Sequence, residues 1–257
     1  MGNNKICVSL GTSNIYSLKN MMNESLNINV DFIEIRFDFF NKLTMYDALE
    51  SVLDQHQRAV FTCRAKNEGG KYSGKELDRV TTLVGLAAFR PMLLDVEYNT
   101  MKANDDLLDQ FTSLNCDILV SWHNFEQTPN EDELVDIMDK MKEYSNNIKI
   151  VTMAKNLDDS ISMLKLYEYV KTSNINLIAF CMGEYGMLSR VLCTYAGSSF
   201  TYASLAEALA PGQLTVKQMQ TIYEKLNREN PELNNYNTWK ERQDFNTIFK
   251  LINDSVG

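Results

Sequence analysis

The chain has 257 residues, with 34 acidic against 25 basic side chains and a formal charge of -9. That charge repels phosphate backbones, and no Lys/Arg-rich run with interleaved aromatics offsets it locally, so nucleic acid is set aside as a partner. Low Gly and Pro content with 44% hydrophobic and 23% charged residues describes a globular chain with a full core rather than a disordered one, and no Pro/Gly/Ser-rich linker divides it.

From Met1-Gly2-Asn3-Asn4 the sequence runs directly into a short strand-like segment, without the basic stretch and apolar core of a signal peptide, and no apolar run reaches membrane-spanning length. The cysteines (Cys7, Cys63, Cys116, Cys181 and Cys193) form no CxxC pair, and four lie inside apolar runs, as reduced thiols do. These features predict a cytoplasmic protein with no membrane partner.

In chain order, β-rich runs occur at Lys5–Leu10, Asp31–Asp38, Arg58–Arg64, Met92–Tyr98, Asp117–His123, Ile148–Met153, Ile175–Met182 and Phe200–Ser204. Amphipathic stretches such as Glu131–Tyr144 and Asp159–Lys171 separate them, with apolar residues at helical spacing. Eight such alternations suit a closed (β/α)8 barrel better than an open doubly wound sheet. Unusual polar residues fall at or after the ends of these runs, where a barrel builds its active site.

In the second run Glu34 and Arg36 share one strand face, opposite Ile33, Ile35 and Phe37, and Asp38 shares their parity. They are either a structural ion pair or two groups facing the barrel mouth. Arg64 ends the third run and leads into a Gly-rich loop containing Glu68, which reads as a lid. Gly69 through Lys75 satisfies most of a phosphate-loop pattern, but Glu76 stands where that motif needs Ser or Thr, so the match is a coincidence. His123 ends the fifth run and is a satisfied core histidine or a catalyst, while His56 sits in a polar stretch. Lys149 has the parity of Val151 and Met153 in the sixth run. It either snorkels out at the bottom or enters an apolar interior that would favour a neutral, nucleophilic amine, with Lys155 as a rival. Arg36, Arg64 and Arg190 around one mouth suggest a small anionic substrate, since guanidinium matches carboxylate bidentately. Two distant histidines and no paired cysteines make a zinc site improbable.

Taken in order, E-x-R-x-D (Glu34 to Asp38), T-x-R…E-G-G (Thr62 to Gly70), S-x-H-x-F-x-x-T-P (Ser121 to Pro129), K-I-x-x-M (Lys149 to Met153), Ser189-Arg190, G-S-x-x-T-Y (Gly197 to Tyr202) and A-P-G-Q (Ala210 to Gln213) resemble the type I 3-dehydroquinate dehydratases. The resemblance implies a (β/α)8 barrel over residues 1–226 that dehydrates 3-dehydroquinate to 3-dehydroshikimate as a homodimer, with neither metal nor organic cofactor. It implies further that Lys149 forms a Schiff base and that His123, oriented by Glu68, is the general acid/base. Glu34, Arg36 and Arg64 would hold the ring hydroxyls, and Arg190 and Gln213 the carboxylate. Two other readings stand beside it: a class I Schiff-base aldolase, and a catalytically silent barrel serving as a binding module.

The chain departs from the family pattern twice. Leu209 stands where the family often has a serine just before A-P-G-Q, which predicts weaker substrate binding. Residues 227–257 extend past the usual last helix, and the spacing of Trp239, Phe245, Ile248, Phe249 and Ile252 predicts one amphipathic helix, packed on the barrel or plugging its bottom.

Overall fold

Each β-rich run contains a parallel strand in the computed structural model, which describes residues 4–229 and 245–256. The strands are β1 (Ile6–Leu10), β2 (Phe32–Arg36), β3 (Ala59–Thr62), β4 (Leu93–Glu97), β5 (Ile118–Asn124), β6 (Asn147–Met153), β7 (Asn176–Met182) and β8 (Thr201–Ala203). Around them lie α1 (Ile15–Asn27), α2 (Lys42–Val52), α3 (Glu76–Ala87), α4 (Tyr98–Lys102), α5 (Leu107–Ser113), α6 (Glu131–Met141), α7 (Leu157–Val170), α8 (Met187–Ala196), α9 (Val216–Glu229) and α10 (Phe245–Val256).

Strands buried on both faces need unbroken apolar sequence, and Ile6–Leu10 and Ala59–Thr62 are buried at every position. Helix starts are set by asparagine. Asn14, Asn41, Asn130 and Asn156 each turn a side-chain oxygen onto a free N–H in the first turn of α1, α2, α6 and α7, and Asn130 completes a reciprocal pair with Glu133.

The ladder runs β7-β6-β5-β4-β3-β2-β1-β8. Across the remaining β7–β8 seam the rings of Phe180 and Tyr202 lie 6.1 Å apart, so packing rather than backbone pairing completes the barrel. The result is a single (β/α)8 barrel, as the alternation predicts. Two boundaries differ from expectation in ways that affect the site. β2 stops at Arg36, so Asp38 reaches back from a 3-10 turn (Phe37–Phe39), and β3 stops at Thr62, leaving Arg64 beyond the strand end.

Strand register places polar residues side by side within the barrel. Ser9 neighbours Glu34, Thr62 neighbours Asp95, and Glu97, Ser121 and Lys149 follow one another across β4, β5 and β6. The interior at this level is therefore a polar layer.

Beyond the barrel, α10 packs against α8 and α9 on the outer flank, not under the barrel, which corrects the plug expectation. It buries Ile248 and Ile252, stacks Phe249 on Tyr185 at 5.8 Å, and receives a 2.9 Å hydrogen bond from Lys225 Nζ at Ser255 Oγ. Phe245, Leu251 and Val256 flank these residues as partly buried apolar side chains against the core. Trp239 and the Asn-rich stretch before it lie outside the described residues. Each buried Ile contributes roughly 1.5–3 kcal/mol of transfer free energy. Deleting residues 245–257 should thus lower the calorimetric unfolding temperature by roughly 5–10 °C once the ordering entropy of the helix is deducted. An unchanged transition would show that α10 adds nothing to the barrel.

Candidate active site

A cavity of about 300 Å³ opens among the loops that follow the strands, and all eight side chains to which the family resemblance assigns a role line it. They reach it from β2, β5 and β6, from the segment after β3, from α8 and from the loop after β8.

Lys149 is 6% exposed, so it does not snorkel into solvent. Nor are its surroundings the apolar sleeve that parity alone suggests. Its Nζ donates a 3.0 Å hydrogen bond to Asp95 Oδ2, lies 4.0 Å from Glu34 Oε1 and sits 4.3 Å from the centre of the Tyr202 ring. The neighbours that matter come from β2, β4 and β8, across the barrel. Lys155, by contrast, is exposed, its backbone N–H tied to Asp159, and it does not line the cavity.

Asp95 anchors this layer. Burial alone would raise its carboxyl, but Arg64, then Lys149 and His123, outweigh burial and hold it well below the usual carboxylate range. It accepts from Ser121 Oγ at 2.6 Å and pairs with Arg64 Nη2 at 2.7 Å. It is thus ionised whenever the protein is folded, a fixed negative charge beside the lysine.

The Nδ1 of His123 lies 3.3 Å from Glu68 Oε2, and Asn99 Nδ2 donates to the other Glu68 oxygen at 3.0 Å. Burial lowers the imidazole well below its usual value, Arg64 and Lys149 push the same way, and Asp95 opposes them weakly. Burial likewise raises Glu68 to about 7, with Arg64 pulling it down and Glu97 pushing it up. Both shifts disfavour a charged pair, so near neutrality His123 is an uncharged base whose carboxyl partner is close to its own titration point. Glu68 is buried in a 3-10 turn (Lys66–Glu68). The Gly-rich segment around it is pinned rather than a free lid, because Ala65 N–H donates to Glu97 and Lys71 N–H to Asp38. Glu76, which ruled out a phosphate loop, pairs with Arg79.

On the opposite wall, Arg36 is held by Asp38 through two hydrogen bonds of 2.8 and 2.7 Å, and Glu34 accepts from Thr62 Oγ1 at 2.8 Å. Arg64 lines the cavity too, but its guanidinium already meets Asp95, Ser121 at 2.7 Å and Glu97 at 3.5 Å. Little of it is free for a ligand.

At the far end Arg190 is 1% exposed in the first turn of α8, and neither Nε nor Nη2 has a hydrogen-bond partner among the described residues. Its guanidinium lies 4.3 Å from the Phe180 ring centre, and burial lowers it to about 10. A buried cation without a counter-ion, at a helix end that itself repels cations, is costly until an anion arrives. Gln213 lines the same cavity, with Oε1 taken by the Leu209 N–H at 2.7 Å, so its amide N–H2 is left to donate. Gly212 makes this placement possible. At φ +67° a Cβ there would stand 2.2 Å from the Gly183 carbonyl oxygen, so only glycine lets the β8 loop close onto the β7 loop. Leu209 contributes its side chain to the cavity wall near this end.

Asp95 and Glu97 were not singled out in the sequence, and Ser121 and Tyr202 entered only as ends of motifs, without a role. Asp95 and Glu97 alternate with Leu94 and Val96 in the same way that Glu34 and Arg36 alternate with isoleucines, and that signal could have found them.

The family profile described as type I 3-dehydroquinase matches residues 6–230. The chain is 39% identical to the 3-dehydroquinate dehydratase of Dehalococcoides mccartyi over 202 residues, 77% of this chain and 87% of that protein. It is 34% identical to the enzyme of the same name from Methanopyrus kandleri over 205 residues, 79% and 91% of the two chains. The crystal structure of the 3-dehydroquinate dehydratase from Aquifex aeolicus superposes with a TM-score of 0.72 at 26% identity, over 87% of this chain and 99% of that one. α10 lies beyond the family match, whereas every cavity-lining side chain named above lies within it, and the chain belongs to the type I 3-dehydroquinase family.

Proposed function

We propose that this chain dehydrates 3-dehydroquinate to 3-dehydroshikimate through a Schiff base on Lys149. The observation that carries the reading is the convergence, in one cavity, of a buried lysine amine, an imidazole kept uncharged and an unpaired guanidinium. Lys149 attacks the ring ketone after giving up a proton, for which uncharged His123 is the nearby acceptor. The imidazolium returns that proton to the carbinolamine hydroxyl, which leaves as water, and the iminium that remains keeps its positive nitrogen beside Asp95. Uncharged His123 removes a proton from the adjacent carbon, and the electron pair flows into an enamine. That pair returns to expel the β-hydroxyl, protonated by the imidazolium as it leaves as water. Hydrolysis of the conjugated imine frees the lysine and the enone product.

Arg190 and Gln213 would take the carboxylate bidentately, while Glu34 and Arg36 hold ring hydroxyls. Arg64 acts more through its charge, on Asp95 and His123, than as a hydroxyl donor, because its own donors are engaged. In this reading the chain works in the cytoplasm as a homodimer, with neither metal nor organic cofactor.

The test is turnover: with 3-dehydroquinate the purified chain should generate a conjugated enone detectable by ultraviolet absorbance, and no absorbance change would remove the reading. Arg190→Met should raise KM on the order of a hundredfold, the loss of a bidentate charge-assisted contact. The same change relieves an unpaired buried charge, so the unfolding temperature should stay level or rise. An unaltered KM would take Arg190 out of the carboxylate site.

A further inference from the structure

Resting on the reading above, we propose that Asp38 is a positioning residue that ties Arg36, on the hydroxyl-holding wall, to the segment carrying Glu68, so that substrate grip and proton transfer depend on one buried carboxylate. Asp38 is 3% exposed and uses both oxygens. Oδ1 accepts from Arg36 Nε at 2.8 Å, while Oδ2 accepts from Arg36 Nη2 at 2.7 Å and from the Lys71 backbone N–H at 2.9 Å.

The segment between Ala65 and Tyr72 is short and stiff. Its ends pair through a β-bridge, Gly70 N–H donates to Ala65 O at 2.9 Å, and Ala65 N–H donates to Glu97 at 2.9 Å. Gly70 runs so close to Arg64 that a Cβ would stand 2.0 Å from the Arg64 carbonyl oxygen. With one end on Glu97 and the other on Asp38, the piece moves as a unit, and Glu68 with it. Asp38 is therefore where a displacement of Arg36 would reach the partner of His123.

Two variants separate this from a role confined to Arg36. Lys71→Pro deletes the N–H and leaves Asp38 on Arg36. It should lower kcat about tenfold, the worth of one charge-assisted hydrogen bond, with KM within twofold. Asp38→Ala cuts both links, and its kcat should fall about tenfold below that of Arg36→Ala. A kcat for Asp38→Ala equal to that of Arg36→Ala would overturn the proposal, as would an unchanged kcat in folded Lys71→Pro. Limited trypsin digestion reads the tether without substrate. Cleavage after Lys66 and Lys71 should be about tenfold faster in Asp38→Ala than in wild type, and equal rates would overturn the proposal even if the wild-type chain proved to act on another substrate.

Discussion

Lys149→Met is expected to lower kcat on 3-dehydroquinate by about four orders of magnitude or more, because among the described residues no other lysine lines the cavity to form the electron sink. The fold should survive. Losing Lys149 removes a partner of Asp95 and the cation nearest Glu34, but Arg64 and Ser121 remain on Asp95 at 2.7 and 2.6 Å and Thr62 still donates to Glu34 at 2.8 Å. Steady-state kinetics with a thermal melt checks both parts. Residual turnover above about a hundredth of wild type would mean that the nucleophile lies elsewhere, with exposed Lys155 the next to test.

His123→Ala should lower kcat by roughly a thousandfold, the usual contribution of a positioned acid/base, while the Schiff base still forms, more slowly because water must take the lysine proton, and can be trapped. Separating trapping from turnover distinguishes this role from a general loss of structure, and a variant with wild-type turnover would remove His123 from the mechanism. The pH profile adds a sign. His123 is held uncharged well below its usual titration range, so the acid limb belongs to Glu68, raised to about 7 by burial. As pH falls through about 7, Glu68 gains a proton and no longer accepts from the imidazole, and the rate should drop. In Glu68→Gln that limb should vanish.

Much of the barrel is legible in the sequence because strands covered on both faces must be continuously apolar, and the residues that break the runs, such as Glu34, Arg36 and His123, mark the mouth. Arg190 comes from α8 and Gln213 from the loop after β8, and no local pattern joins them. Their motifs, in order along the chain, did. Parity showed which way Lys149 points and misjudged what it meets, since Asp95, Glu34 and Tyr202 arrive from three other strands. Asp95 itself bonds to partners on β5 and β6 and to Arg64 beyond β3, contacts fixed by register and barrel closure. The two places left open for α10 have the same origin. Helical periodicity identified an apolar face at Ile248 and Ile252, but which groove receives it depends on α8 and α9.

The most direct test of the lysine chemistry is borohydride reduction in the presence of 3-dehydroquinate, followed by peptide mass mapping. A reduced adduct confined to the peptide containing Lys149 is the predicted result. An adduct on Lys155, or no adduct under conditions where product accumulates, would contradict it.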